Sequence, residues 1–143
     1  MTQPVWMLLA FAAWTLVLLM ATVGVYRWSR ILTGRAEIQS FQADPVDGSG
    51  WYQRGTRAHA NCLESLPVFA AIVLALEVGN VRSSLVDALA TAVVVARVLQ
   101  SLTHVAFVQT KPVVFVRFAF FSVQIAAFLW LIGIIVATHV ART

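Results

Sequence analysis

Four stretches of the chain are apolar over lengths that suit a bilayer. The first, Met1 to Tyr26, holds no Asp, Glu, Lys or Arg, and neither does the last, Phe118 to Ala141. A hydrocarbon core roughly 30 Å thick needs about 20 helical residues at 1.5 Å each, so both runs predict transmembrane helices. Between them, Trp51 to Val78 and Ser84 to Val108 are apolar enough to span but carry ionisable residues inside. The boundaries are punctuated: Gly79-Asn80 reads as a helix C-cap, Ser84-x-x-Asp87 as a capping box, and Pro112 suits a first helical turn. The pattern predicts an all-α integral membrane four-helix bundle, one domain over residues 1–143, with helices near 4–30, 51–78, 84–109 and 112–139. Pro67 falls inside the second helix and predicts a kink there. The stretch Thr33 to Gly50, with Asp44-Pro45 and Asp47-Gly48-Ser49-Gly50 as turns, reads as a loop and not a second domain. The first run reads as a retained anchor rather than a secretory signal, because no basic residue precedes it and Arg27 and Arg30 follow it.

Composition narrows the class further. Hydrophobic residues make up 60% of the chain and charged ones 11%, against about 25% charged in soluble domains, which excludes an ordinary soluble fold and intrinsic disorder. The net charge of +4 would hint at nucleic acid if it formed a patch, but the basic residues are scattered among apolar runs, so no nucleic-acid partner is expected. They mark topology instead. Arg27, Arg30, Arg35, Arg54 and Arg57 flank the first connection and Lys111 the third, while the second has only Arg82. Connections one and three are therefore expected on the cytoplasmic side, in the inner membrane if the source is bacterial. Trp28, Trp51 and Tyr52 read as interfacial belt residues.

The polar residues inside the spans line up. On a helix of 100° per residue, Arg54, Arg57, Asn61 and Glu64 form one stripe on the second helix. Arg97, Gln100, Ser101 and His104 do the same on the third, and Arg117 and Gln124 share a face of the fourth. Charged groups at membrane depth face a bundle interior or an interface and are functional candidates. Glu64 is the deepest acid and Arg97 its natural partner; the remaining guanidinium groups point to a small anionic ligand held between helices. Read blandly, the same Glu64–Arg97 pair only locks two helices together. His59, His139 and the lone Cys62 lie off the stripes or near a helix end and read as structural. Asp44-x-x-Asp47 reads as turn chemistry rather than a calcium loop, and no phosphate loop, metalloprotease or serine-nucleophile motif is present.

The segment Arg54 to Phe69, RGTRAHANCLESLPVF, resembles the signature R-x-x-R-A-H-x-N-x-x-E-x-x-P-x-F of the MAPEG family, membrane-associated proteins in eicosanoid and glutathione metabolism. The length, the four-helix layout and Arg97 extend the likeness over nearly the whole chain, in the manner of a bacterial-type member. The resemblance implies a homotrimer with sites between subunits near the cytoplasmic leaflet. It also implies reduced glutathione as cosubstrate, and a lipophilic small molecule or lipid as second partner within the membrane lipids. Carried over by position, Arg57, Asn61, Glu64 and Arg97 would hold the peptide, Gln100 and His104 would hydrogen-bond a ligand, and Arg117 would stabilise the thiolate as the catalytic residue. The family's fourth-helix arginine lies two residues after the proline, where this chain has Val114; Arg117 comes about one turn later. Arg27 or Arg30 would add a first-helix arginine. Three functions stay open: a glutathione-dependent transferase or peroxidase acting on lipophilic electrophiles or lipid hydroperoxides, a non-catalytic lipid- or protein-binding member, and, least favoured because nothing resembles discontinuous helices or an acidic relay, a small transporter or ion pathway along the polar seam.

Overall fold

A computed structural model describes residues 1–35, 37, 39 and 49–142; Asp44 and Asp47 lie outside them. Among the described residues the chain is all helix, without strands: α1 (Gln3–Leu32), α2 (Gly50–Val78), α3 (Ser84–Ala106) and α4 (Lys111–Val140), each long and apolar enough to cross a membrane. Short connections after Val78 and Ala106 reverse the chain, so consecutive helices run antiparallel. The outer surface is largely apolar, with Leu16, Leu74, Leu129 and Trp130 exposed, and only a lipid solvent suits such a surface.

The helix ends follow from local chemistry. Ser49 Oγ accepts from Tyr52 N and caps α2. Ser83, not Ser84, caps α3: Ser83 is extended and its Oγ accepts from Val86 N at 3.2 Å. The expected Ser84–Asp87 box therefore does not form, because Ser84 is already in the first helical turn. At the end of α2, Asn80 takes a positive φ of 49°, Asn80 N donates to Glu77 O, and Val81 N donates to Leu76 O. That is the paired closure that satisfies a helix's last carbonyls. α2 continues through Pro67 as one helix.

The interior is a seam of rings and branched side chains. Phe69 of α2 meets Phe11 of α1 at 5.9 Å and Phe128 of α4 at 6.0 Å between ring centroids. Leu76, Val86, Val93 and Leu131 complete the core around them. Burying each such side chain is worth about 1.5–3 kcal/mol in water, but in lipid the gain comes from close packing.

One departure from regular geometry decides how α1 sits on α2. Leu19–Gly24 winds as a π-helix between two α-helical stretches. Within it Thr22 donates to Leu18 O at 2.6 Å and packs on Gly55 of α2. A Cβ on Gly55 would lie 2.6 Å from Thr22 Cβ, so only glycine admits this approach. One turn on, Tyr26 stacks on Tyr52 with centroids 4.1 Å apart, and Arg27 Nε donates to Tyr52 Oη at 2.8 Å. Tyr52 is thus buried beneath α1, not a belt residue facing lipid; Trp28 and Trp51 are exposed.

Candidate functional site

α3 supplies the spine of the candidate site. Arg97, Gln100 and Ser101 are buried and His104 is half-buried, on one face of the helix as their spacing requires. Arg97 is only 2% exposed. Its Nη2 donates to Ser65 Oγ of α2, and its guanidinium lies 5.7 Å from the centroid of the Phe11 ring. The ring face offers a modest electrostatic gain to a desolvated cation. Glu64, the expected partner, is exposed and makes no ion pair with Arg97; among the described residues the ion pair is Arg82–Glu77 at the other end. The reason is rotational. Ser65 lies about 40° from Asn61 on the wheel and turns into the α2–α3 contact, whereas Glu64 turns out of it while staying within electrostatic reach of Arg97.

A polar ladder continues toward the elbow between α3 and α4. Asn61 Nδ2 lies 3.3 Å from His104 Nε2. Ser101 Oγ donates to Arg97 O, which leaves the Cys62 thiol as donor to Ser101 Oγ at 3.5 Å. Cys62 is fully buried and packs as a small polar-tolerant side chain. Gln124 Nε2 donates to Gln100 Oε1 at 3.0 Å, and Gln100 Nε2 donates to Arg117 O at 3.2 Å, so two amides tie α3 to α4.

Two arginines close the end of α3. A helix leaves its last carbonyls without intrahelical donors. Arg117 Nη2 reaches the carbonyls of Thr103, His104 and Phe107 at 3.3, 3.4 and 3.1 Å. Arg54 Nε donates to Val105 O at 3.2 Å. A cation at a helix C-terminus contributes roughly 0.3–1 kcal/mol, more when partly buried. Arg117 is therefore a structural cap; its Nη1 takes no part in these contacts, and its Nε is buried without a partner.

The fold thus gathers Arg57, Asn61, Arg97, Gln100, His104 and Arg117 at one end of the bundle. The charges of Arg57, Arg97 and Arg117 all act on His104, and those of Arg54 and Arg57 act on Arg117. Arg57 and Glu64 face outward. On the first helix, Arg27 is the arginine that reaches α2; Arg30 lies over Tyr26, 5.5 Å from its centroid. Sequence reasoning missed Ser65 as the partner of Arg97: Ser65 lies just beside the named second-helix stripe, and only the rotation of α2 against α3 selects it over Glu64. Chemically, the cluster offers guanidinium donors, an imidazole and an amide to an anion, and no metal-holding group of His, Cys, Asp and Glu is found among the described residues.

A model of the MAPEG family matches residues 5–137, nearly the whole chain. No curated protein matches the sequence. The chain belongs to the MAPEG family, and it is an integral, multi-pass membrane protein.

Proposed function

We propose that this member of the MAPEG family is a membrane-bound glutathione-dependent transferase or peroxidase that acts on lipophilic electrophiles or lipid hydroperoxides. One observation carries the reading: Arg54, Arg57, Arg97 and Arg117 converge with His104 at one end of the bundle, and among the described residues none of the four is in ion-pair contact with a carboxylate. Glutathione brings two carboxylates and a thiol. Arg57, Asn61 and Arg97 bind the peptide, Gln100 and His104 orient it by hydrogen bonds, and a guanidinium near the sulfur favours the thiolate, the nucleophilic form. A lipophilic acceptor arrives from the bilayer, and the protein's main contribution is to hold both at short distance.

The exposed stripe of Arg57 and Glu64 supports assembly. Charged side chains on a spanning helix do not face hydrocarbon, so this stripe meets a neighbouring subunit, and the homotrimer expected from the family resemblance satisfies it. Native mass spectrometry of the detergent-extracted protein tests this: three copies per particle are expected, and a monomer at all protein concentrations contradicts it.

Calorimetry with reduced glutathione on the purified protein tests the ligand. Saturable binding is expected, and no heat at millimolar ligand overturns the reading. A second reading, a non-catalytic lipid- or protein-binding member, draws on one specific observation: Arg117 Nη2 already serves three carbonyls. Arg117→Ala separates the two. If Arg117 activates the thiol, turnover of an aryl halide falls to background while much of the glutathione affinity remains. Binding without turnover in the unmutated protein favours the second reading.

A further inference from the structure

The elbow between α3 and α4 carries a cavity that the arginine cluster does not use. It measures 240 Å³ and is lined by Thr103, Phe107, Pro112, Val113 and Val116. Its one hydroxyl is turned away into the helix, since Thr103 Oγ1 donates to Leu99 O at 2.7 Å. The walls are therefore apolar in effect. The volume falls below the roughly 300–1,000 Å³ of pockets that take compact drug-sized molecules, and it suits a single chain of methylenes better than a ring system.

A cation adjoins the cavity lining in the chain. Lys111, the one lysine in the chain, immediately precedes Pro112 and is exposed. The first turn of α4 has no acidic residue to neutralise it, and Thr110 gives no side-chain cap. The elbow also lies at the end of the bundle that carries Arg27, Arg30 and Arg54, the end that the distribution of basic residues assigns to the cytoplasm. That leaflet holds the anionic lipids, and basic side chains at its surface attract them.

We propose that the elbow is a binding site for an anionic phospholipid of that leaflet, with one acyl chain in the cavity and the phosphate at the Lys111 ammonium. The site has a mechanical consequence. Thr103 and Phe107 line the cavity and give their carbonyls to Arg117. A chain seated there packs against the end of α3 that Arg117 holds, and so steadies His104 next to Thr103. The proposal does not rest on glutathione use.

Lipid retention tests it directly. The assembled protein, equilibrated in bilayers of phosphatidylcholine with an equal part of phosphatidylglycerol and then extracted in mild detergent, is weighed by native mass spectrometry. Retained phosphatidylglycerol in excess of phosphatidylcholine is expected. Lys111→Gln should lower that preference about fivefold, and Lys111→Arg should restore most of it. Val113→Trp fills the cavity and should remove retained lipid of either kind while circular dichroism stays helical. Arg82→Gln, at the opposite end, should change neither. Wild-type preference in Lys111→Gln overturns the proposal, as does full retention in a folded Val113→Trp, or a loss in Arg82→Gln equal to that in Lys111→Gln. Should Val113→Trp unfold, the exposed Lys111 variants still decide the matter.

Discussion

The two ends of the bundle use similar residues and reach different states of completion. At the end away from the arginine cluster, the outer end in the sense of distance from that cluster, Glu77 accepts from the Thr2 hydroxyl and pairs with Arg82 at 3.6 Å, and Arg142 Nη1 donates to Gly79 O at 2.6 Å. The α2 terminus there is closed by backbone bonds from Asn80 and Val81, to which Arg142 adds its side chain. Glu77, Arg82 and Arg142 thus each have a partner close by in the chain or across a short gap. At the arginine-rich end donors and an acceptor alike are left over. Arg97 Nε, Arg117 Nε and Gln124 Oε1 are buried without partners among the described residues, and leaving such a group unsatisfied costs about 1–3 kcal/mol. The outer end is finished as structure; the other end leaves hydrogen-bonding capacity unspent within the chain.

That contrast can be broken by substitution. The largest effect is expected from Arg97→Ala, which removes the most buried cation: glutathione affinity should fall about 100-fold, since hydrogen bonds to charged groups contribute roughly 1.5–3 kcal/mol each. Unchanged affinity by calorimetry would leave the arginine-rich end as structural as the outer one. Gly55→Leu should come next. It drives a side chain into Thr22, and overpacking of this kind costs about 1–3 kcal/mol, to be read from thermal unfolding in detergent. Gln124→Leu strands Gln100 Oε1 and should cost about 1–2 kcal/mol by the same measurement. The smallest effect is expected at the outer end. Arg82→Gln loses an exposed ion pair, worth about 0–1 kcal/mol, and should leave glutathione affinity untouched; a large drop in affinity there would erase the difference between the ends.

The parts of this picture that follow the helical period were legible in the sequence. Charge-free runs mark α1 and α4, and spacings of three and four put Arg97, Gln100, Ser101 and His104 on one face, the first three buried and His104 half-buried. What depends on how two helices are rotated against each other was not. Arg97 meets Ser65 and not Glu64 because α2 turns Ser65, one residue on, toward α3. Tyr52 looked like a headgroup-level aromatic until α1 covered it. Arg117 reads as an intramembrane cation in sequence, yet α3 ends at Ala106 and exposes carbonyls that its Nη2 meets. That cap depends on a helix end which the apolar run itself does not mark.

The π-helical stretch Leu19–Gly24 carries a spare residue, and its effect is on reading frame. A turn of π-helix takes up about one residue more than the α-helix it replaces, so the faces before and after it are out of step by roughly 100° when counted along the sequence. Phe11, Thr15, Leu18 and Thr22 follow one frame into the bundle; Tyr26 would stay near that face in either frame, but Arg27 reaches Tyr52 beside it because the count has slipped. A wheel drawn through all of α1 therefore mixes two registers. A chain one residue shorter in this stretch would wind as plain α-helix and keep both sets of contacts, so a one-residue deletion here is milder than a bulky substitution at Gly55.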